Sequence, residues 1–472
     1  MPIPAPTLRL ASLLALAPVT VGRPGHPGAA TDGWRALFDG ATLAGWSRHS
    51  GTANYVVEGA GTQDAAIVGT TVLGSPNTFL CTDETFGDFE LRLEFRVDPA
   101  LNSGVQLRSE INAADRVVGY QSEIDMDPAR DRWWSAGLYD EARRGWLDPA
   151  GEEKGARGAA FTADGRAASR PDGWNELRVL AHGPELTTWL NGELRAQLHD
   201  AMTPRGVIAL QVHGIGNDAA KVGKQVRFRQ IRLRELAAPP APNTLTDAER
   251  AAGWRRLFDG ASGAGWRSAR GDAFPTSGWT IDHGVLQVAA SGGGEARAGG
   301  DIVTLERFAT FELSLDFRLT RGANSGIKYF VQPDLKPIGA DGQPAAVGSA
   351  IGCEFQLLDD ARHADAKQGR DGNRTLASLY DLMAAPADKP ARAIGEWNTA
   401  RIVAGATRIE HWLNGVKVIE YERGSPDFRA RVAASKYRAI AGFGEWADGH
   451  LLLQDHGDAV AFRNVKIRSP VQ

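Results

Sequence analysis

Phe89-Glu90-Leu91-Arg92-Leu93-Glu94-Phe95-Arg96-Val97 alternates apolar and charged side chains without a break. A period of two places every apolar residue on one face of an extended strand and every charge on the other. Phe311-Glu312-Leu313-Ser314-Leu315-Asp316-Phe317-Arg318-Leu319 repeats the pattern 222 residues later. Both stretches run on to Asn-Ser-Gly, at Asn102-Ser103-Gly104 and Asn324-Ser325-Gly326, a triplet that by itself reads as a turn. Upstream, Gly33-Trp34-Arg35-Ala36-Leu37-Phe38-Asp39-Gly40 returns as Gly253-Trp254-Arg255-Arg256-Leu257-Phe258-Asp259-Gly260. Downstream, Trp174-Asn175, Trp189-Leu190-Asn191-Gly192 and Leu210-Gln211-Val212-His213-Gly214 return as Trp397-Asn398, Trp412-Leu413-Asn414-Gly415 and Leu453-Gln454-Asp455-His456-Gly457. Kept order over such a length is the mark of a duplicated unit.

Each unit reads as β throughout. Residues 174–180 and 186–190 with Asn191-Gly192 read as a hairpin, because a two-residue type I′ turn needs positive φ at both central positions. Helical periodicity is confined to Thr246–Ala252. Many short strands per unit predict an antiparallel sandwich. The 472 residues divide into a leader over 1–30, a first sandwich over 31–236, a Pro-rich linker over 237–252 and a second sandwich over 253–472.

Composition narrows the function classes. The chain is 43% hydrophobic and 23% charged, which excludes intrinsic disorder and a multi-span membrane protein as its main character. With 53 Lys+Arg against 57 Asp+Glu, the net charge of -4 offers no basic field for a nucleic-acid backbone. The 55 Gly and the excess of 13 Trp over 7 Tyr suit a turn-rich β protein that handles carbohydrate. Cys81 and Cys353 are too few and too far apart for a disulfide framework and read as buried thiols. Arg9, the apolar run from Leu10 to Val21 and Gly28-Ala29-Ala30 look like a secretory leader, predicting an exported, periplasmic or extracellular protein; the run is too short to span a bilayer.

The paired Leu-Phe-Asp-Gly…Gly-Trp starts, Asn-Ser-Gly after the long strand, Cys353-Glu354-Phe355-Gln356-Leu357-Leu358-Asp359, Trp-Asn…Trp-Leu-Asn-Gly, and the closing Leu-Gln-x-His-Gly…Phe-Arg motifs together resemble the 3-keto-disaccharide hydrolase domain family, a family 16-like group of glycoside hydrolases. The resemblance covers nearly all of residues 33–236 and 253–469. It implies an all-β fold of two tandem concanavalin A-like jelly-roll sandwiches, and exported enzymes that act on glycosides oxidised at C3.

A C3 ketone acidifies the C2 proton, so such chemistry needs one general base, a donor or cation for the enolate and polar clamps for the sugar. Ordinary glycosidases instead flank the bond with two carboxylates. Glu354 and Gln356 lie at i and i+2 and share a strand face, as do Gln454 and His456. We read His456 or Glu354 as the base, Lys436 as the enolate stabiliser, His411 as completing the catalytic pocket, and Gln356, Gln454 and Asn324 as sugar contacts. The first copy offers its own set: Asn102, Arg108, Gln121, Glu123, Tyr139, Glu141, Arg143 and His213. It keeps the family's Arg as Arg108, where the second copy has Phe330.

Three alternatives stand beside this reading. Glu123-Ile124-Asp125-Met126-Asp127 is similar to the catalytic strand of retaining family 16 glucanases, with Glu123, Asp125 and Asp127 on one face. A carbohydrate-binding module without catalysis would use Trp34, Trp133, Trp134, Trp254 and Trp446 as stacking platforms. A divalent metal ion as cofactor could draw on Asp39, Asp259, Asp359, Asp360, Asp455, Glu354, His411 and His456, although no run has EF-hand or HExxH spacing. The partner in every case is a glycoside or oligosaccharide.

Overall fold

The computed structural model describes residues 33–99, 101–150, 155–292, 298–336, 343 and 349–469. The leader over 1–30 lies outside the described residues. Among them, no helix is long and apolar enough to cross a membrane.

Each half is a sandwich of two antiparallel sheets. In the first domain the back sheet runs Glu193–His199, Glu185–Leu190, Asn175–His182, Phe89–Val97, Gln225–Glu235, Ala66–Thr70, Asn54–Glu58. The front sheet runs Gly145–Asp148, Leu138–Glu141, Val117–Asp127, Asn102–Ile111, Val207–Val212, Thr78–Thr82, Trp46–His49. The second domain repeats both orders, with a shorter front sheet of Ile351–Leu358, Asn324–Gln332, His450–Leu453, Ile302–Thr304 and Trp266–Ser268. The alternating stretches form strands with the expected bounds, and Phe89, Leu91, Leu93, Phe95 and Val97 bury into the core between the sheets. Asn191 (φ 52°) and Gly192 (φ 85°) close the hairpin as their residue types require.

Two details differ from the sequence reading. Neither Asn-Ser-Gly is a turn: each opens a front-sheet strand, Asn102–Gly104 pairing with residues 123–125 and Asn324–Gly326 with residues 356–358. A 13-residue helix, Ala156–Ala168, carries no apolar stripe, and Phe161 is its only large buried side chain, with the Arg195 guanidinium 3.8 Å over its ring. The linker carries the helix its sequence predicts. Thr246 and Glu249 form a capping box on helix Asp247–Ala251, and Asn243 exchanges amide hydrogen bonds of 2.6 and 2.8 Å with Asn464 on the last strand.

The domains dock through the outer face of the first back sheet. Trp189 Nε1 donates to the Ile394 carbonyl at 3.0 Å, Gln197 Nε2 to Gly395 at 2.9 Å, and Arg178 bonds Glu396 at 2.7 Å. Arg318 reaches Glu185 at 3.0 Å, Arg362 grips both oxygens of Glu193 at 2.6 Å, and the His199 and His283 rings stack 4.0 Å apart. Trp189 is only 1% exposed.

Candidate functional site

In the second domain, strands Asn324–Gln332 and Ile351–Leu358 pair Lys328 with Glu354 and Gly326 with Gln356. Opposed residues of an antiparallel pair share a face. Ile327, Tyr329, Cys353 and Phe355 therefore point into the core, and the polar residues form a floor on the outside of the front sheet. Gly326 is what makes room. A Cβ there would stand 2.1 Å from Glu354 Oε1 and 3.1 Å from Gln454 Oε1.

Lys328 Nζ lies 3.7 Å from Glu354 Oε2 and donates to Ser349 Oγ, which in turn donates to Asp301. Gln356 Nε2 donates to Asn324 Oδ1 at 3.1 Å, and Asn324 Nδ2 meets His456 Nε2 at 3.3 Å. Glu354, Lys328, Gln356, Gln454 and Asn324 are all buried, while His456 is partly exposed at the rim. A cavity of about 420 Å³ lined by Asp301, Ala350, Ala269 and Gly300 opens beside the Lys328 chain.

Of the residues read from the sequence, Glu354, Gln356, Gln454, Asn324 and His456 come together here. Lys436 stands at the rim, its ammonium 4.2 Å over the Tyr380 ring; burial and the charge of Glu354 push the Tyr380 phenol well above its ordinary range. His411 does not line this face. It belongs to the back sheet and is fully buried between the sheets, where Tyr329 Oη meets Nε2 at 2.8 Å and the Ala377 carbonyl lies 3.2 Å from Nδ1. Burial lowers its pKa to about 4. Reading Asn-Ser-Gly as a turn hides Lys328; the strand period continued from Asn324 puts it on the same face.

The first domain assembles Asn102, Gln121, Glu123, Tyr139, Glu141 and His213 on the corresponding face. Ser109 Oγ donates to Gln106 Oε1 at 2.6 Å, Gln106 Nε2 to Gln121 Oε1 at 2.6 Å, and Gln121 Nε2 to Glu123 Oε2 at 2.8 Å. Asn102 donates to the other Glu123 oxygen. Burial, with the charge of Asp125 adding to it, raises Glu123 to about 7 against these hydrogen bonds. Asn77 Nδ2 donates to Glu141 at 3.1 Å, and burial lowers His213.

Two first-domain residues are not where the sequence reading put them. Arg108 is 1% exposed and turned inward, donating to the Gly87 and Gly183 carbonyls at 2.6 and 2.7 Å and to Asp88 at 2.9 Å. Arg143 is held away from the face by Asp140 and Thr203 at 2.7 and 2.8 Å. Both guanidiniums answer buried acceptors that would otherwise lack donors. In the glucanase-like run, Asp125 pairs with Arg132, and Asp127 Oδ1 accepts from the Ala129 amide at 2.9 Å to cap a turn. Trp133 and Trp134 pack in the core.

Of the acids named for a metal, Asp39, Asp259 and Asp455 are occupied by backbone amides. Asp39 and Asp259 cap their Gly-Ala-Thr and Gly-Ala-Ser loops, and Asp455 accepts amides of Ala298, Gly299, Gly300 and Gly457. Among the described residues, His363, His456 and Asp458 instead bring ligand atoms within 4.8 Å of one another. Two imidazoles and a carboxylate suit a divalent transition ion.

Two sandwiches, each with a buried polar floor on the outer face of its front sheet, define a tandem β-sandwich protein with paired polar sites. The chain belongs to the 3-keto-alpha-glucoside-1,2-lyase-like domain family, whose model matches residues 33–234 and 253–468. It is 36% identical over 229 residues to a 3-keto-disaccharide hydrolase of Bacteroides thetaiotaomicron, covering 46% of this chain and 78% of that protein. Two solved structures of Parabacteroides distasonis proteins assigned as glycosyl hydrolases are similar at 29% and 28% identity. They cover 49% and 46% of this chain and 100% and 98% of theirs, with TM-scores of 0.41 and 0.34.

Proposed function

We propose that the second domain cleaves glycosides already oxidised at C3. The observation that carries this is the buried Lys328–Glu354 pair on the floor cleared by Gly326, in a chain whose relative is a 3-keto-disaccharide hydrolase. The Lys328 ammonium, 3.7 Å from Glu354 Oε2, offsets the cost of burying a carboxylate there. Glu354 removes the C2 proton; the electron pair forms the enolate of the C3 ketone, and Lys328 or Lys436 stabilises the oxygen. Collapse of the enolate forms the C1–C2 double bond and expels the C1 oxygen, which takes a proton from His456 or solvent. Water then adds across the double bond, restoring the C2 hydrogen and placing oxygen on C1, so the sum is hydrolysis. Asn324, Gln356 and Gln454 hold the ring hydroxyls. The exported location inferred from residues 1–30 is part of the proposal.

The test is turnover of a 3-keto-glucoside by the intact chain, with products followed by mass spectrometry. E354Q should lose at least about a hundredfold in kcat; near-wild-type turnover by E354Q overturns the reading.

A further inference from the structure

The two floors correspond strand for strand, and the Asp301, Lys328 and Glu354 trio of the second is replaced in the first. Gln106 pairs with Gln121 as Lys328 pairs with Glu354. Phe79 stands opposite Gln211, whereas Asp301 precedes Ile302, whose partner Leu453 precedes Gln454. The trio Asp301, Lys328, Glu354 thus becomes Phe79, Gln106, Gln121. The one acid added, Glu123, replaces Gln356 and is raised to about 7 by burial. A glutamine cannot abstract a proton, and opposite Gln121 the place of Lys328 is taken by the neutral Gln106.

A second observation points to a ligand. Gln211 is fully buried, and neither its amide nitrogen nor its amide oxygen has a hydrogen-bond partner. Such a group is left unsatisfied at a real cost unless something supplies a donor and an acceptor. A sugar hydroxyl does both at once. The neighbouring amides of Gln106, Gln121 and Asn102 form a directed neutral network of the same chemical kind, and Tyr139, Asn77, Glu141 and His213 stand partly exposed at its rim.

We infer that the first domain is a second carbohydrate site, one that holds neutral, unoxidised sugar through amide groups. The inference rests on the proposed function for its contrast between the sites, but its observations are those of the first domain alone. In this arrangement the chain binds an ordinary glycoside in one half and cleaves its oxidised counterpart in the other.

The experiment measures binding of unoxidised maltose, cellobiose, sucrose and trehalose to the intact chain by calorimetry, beside turnover of a 3-keto-glucoside. At least one disaccharide should bind wild type, E354Q should bind it as wild type does, and Q211M should bind it at least tenfold more weakly. Replacing an unsatisfied amide by an isosteric apolar chain should raise the melting temperature of Q211M, which separates lost binding from lost folding. Loss of binding in E354Q, wild-type binding by Q211M, or no binding of any of the four sugars overturns the inference. Retained turnover in E354Q with Q211-dependent binding would instead sink the proposed reaction and leave the neutral site standing.

Discussion

Lys328 and Glu354 face each other on adjacent strands with 3.7 Å between ammonium and carboxylate, both more than nine-tenths buried. A buried ion pair is held by mutual dependence: removing one partner strands the other charge in a poor solvent. K328M should therefore lower kcat on a 3-keto-glucoside at least about a hundredfold, and K436A at the rim by only about tenfold. Steady-state kinetics of the two variants checks the order; equal losses would contradict it.

Gly326 is required for space rather than for backbone freedom, since only its Cβ position collides, with Glu354 Oε1 at 2.1 Å. G326A should displace the carboxylate and cost activity about as much as E354Q, while the melting temperature falls by only a few degrees, roughly the effect of about 1 kcal/mol. Kinetics and a thermal melt on the same sample decide it.

Glu123 gives a stability slope of known sign. Its folded pKa of about 7 exceeds the ordinary 4.5, so the folded state holds a proton that the unfolded state releases between those values. Stability from this group is full below pH 4.5 and declines as pH rises toward 7, by about 3 kcal/mol at most. E123Q should flatten that part of the profile in chemical denaturation between pH 4.5 and 7.5.

His411 slopes the other way. Its pKa falls to about 4 in the core, so stability is full above 6.5 and is lost as pH drops toward 4. H411F should be less stable than wild type at pH 8, because Tyr329 keeps only its 2.9 Å bond to Tyr421, yet lose less on acidification. Melts at pH 8 and pH 5 should show the gap between the proteins narrowing.

Trp189 ties the domains through Ile394, with Arg178 4.2 Å from its ring and bonded to Glu396. W189A should leave an indole-sized void at this seam and split one thermal transition into two by calorimetry, the lower displaced by several degrees.

Much of the frame was legible because strands with one buried face write their period directly into the residues, as Phe89–Val97 and Phe311–Leu319 do. Asn191-Gly192 was legible for an equally local reason. What escaped depends on distant partners. Asn324-Ser325-Gly326 looks like a turn until both flanking strands are in place, and losing that strand lost Lys328 with it. The Ala156–Ala168 helix has propensity but no stripe. His411 and Arg108 look functional by type; only the opposite sheet and the Gly183 turn reveal them as interior fittings.

Arg108 and Phe330 occupy the same bulge in the two halves, with φ of 48° and 54°. In the first, the guanidinium reaches the turn carbonyl of Gly183; in the second, Arg423, just past strand Val416–Glu422, lies 4.2 Å over the Phe330 ring and donates to the turn carbonyl of Ala406 at 2.8 Å. The task of pinning that hairpin has migrated along the chain while the backbone kink stayed. Column by column, the second half has mutated a signature arginine; in space, it has merely changed which residue delivers it.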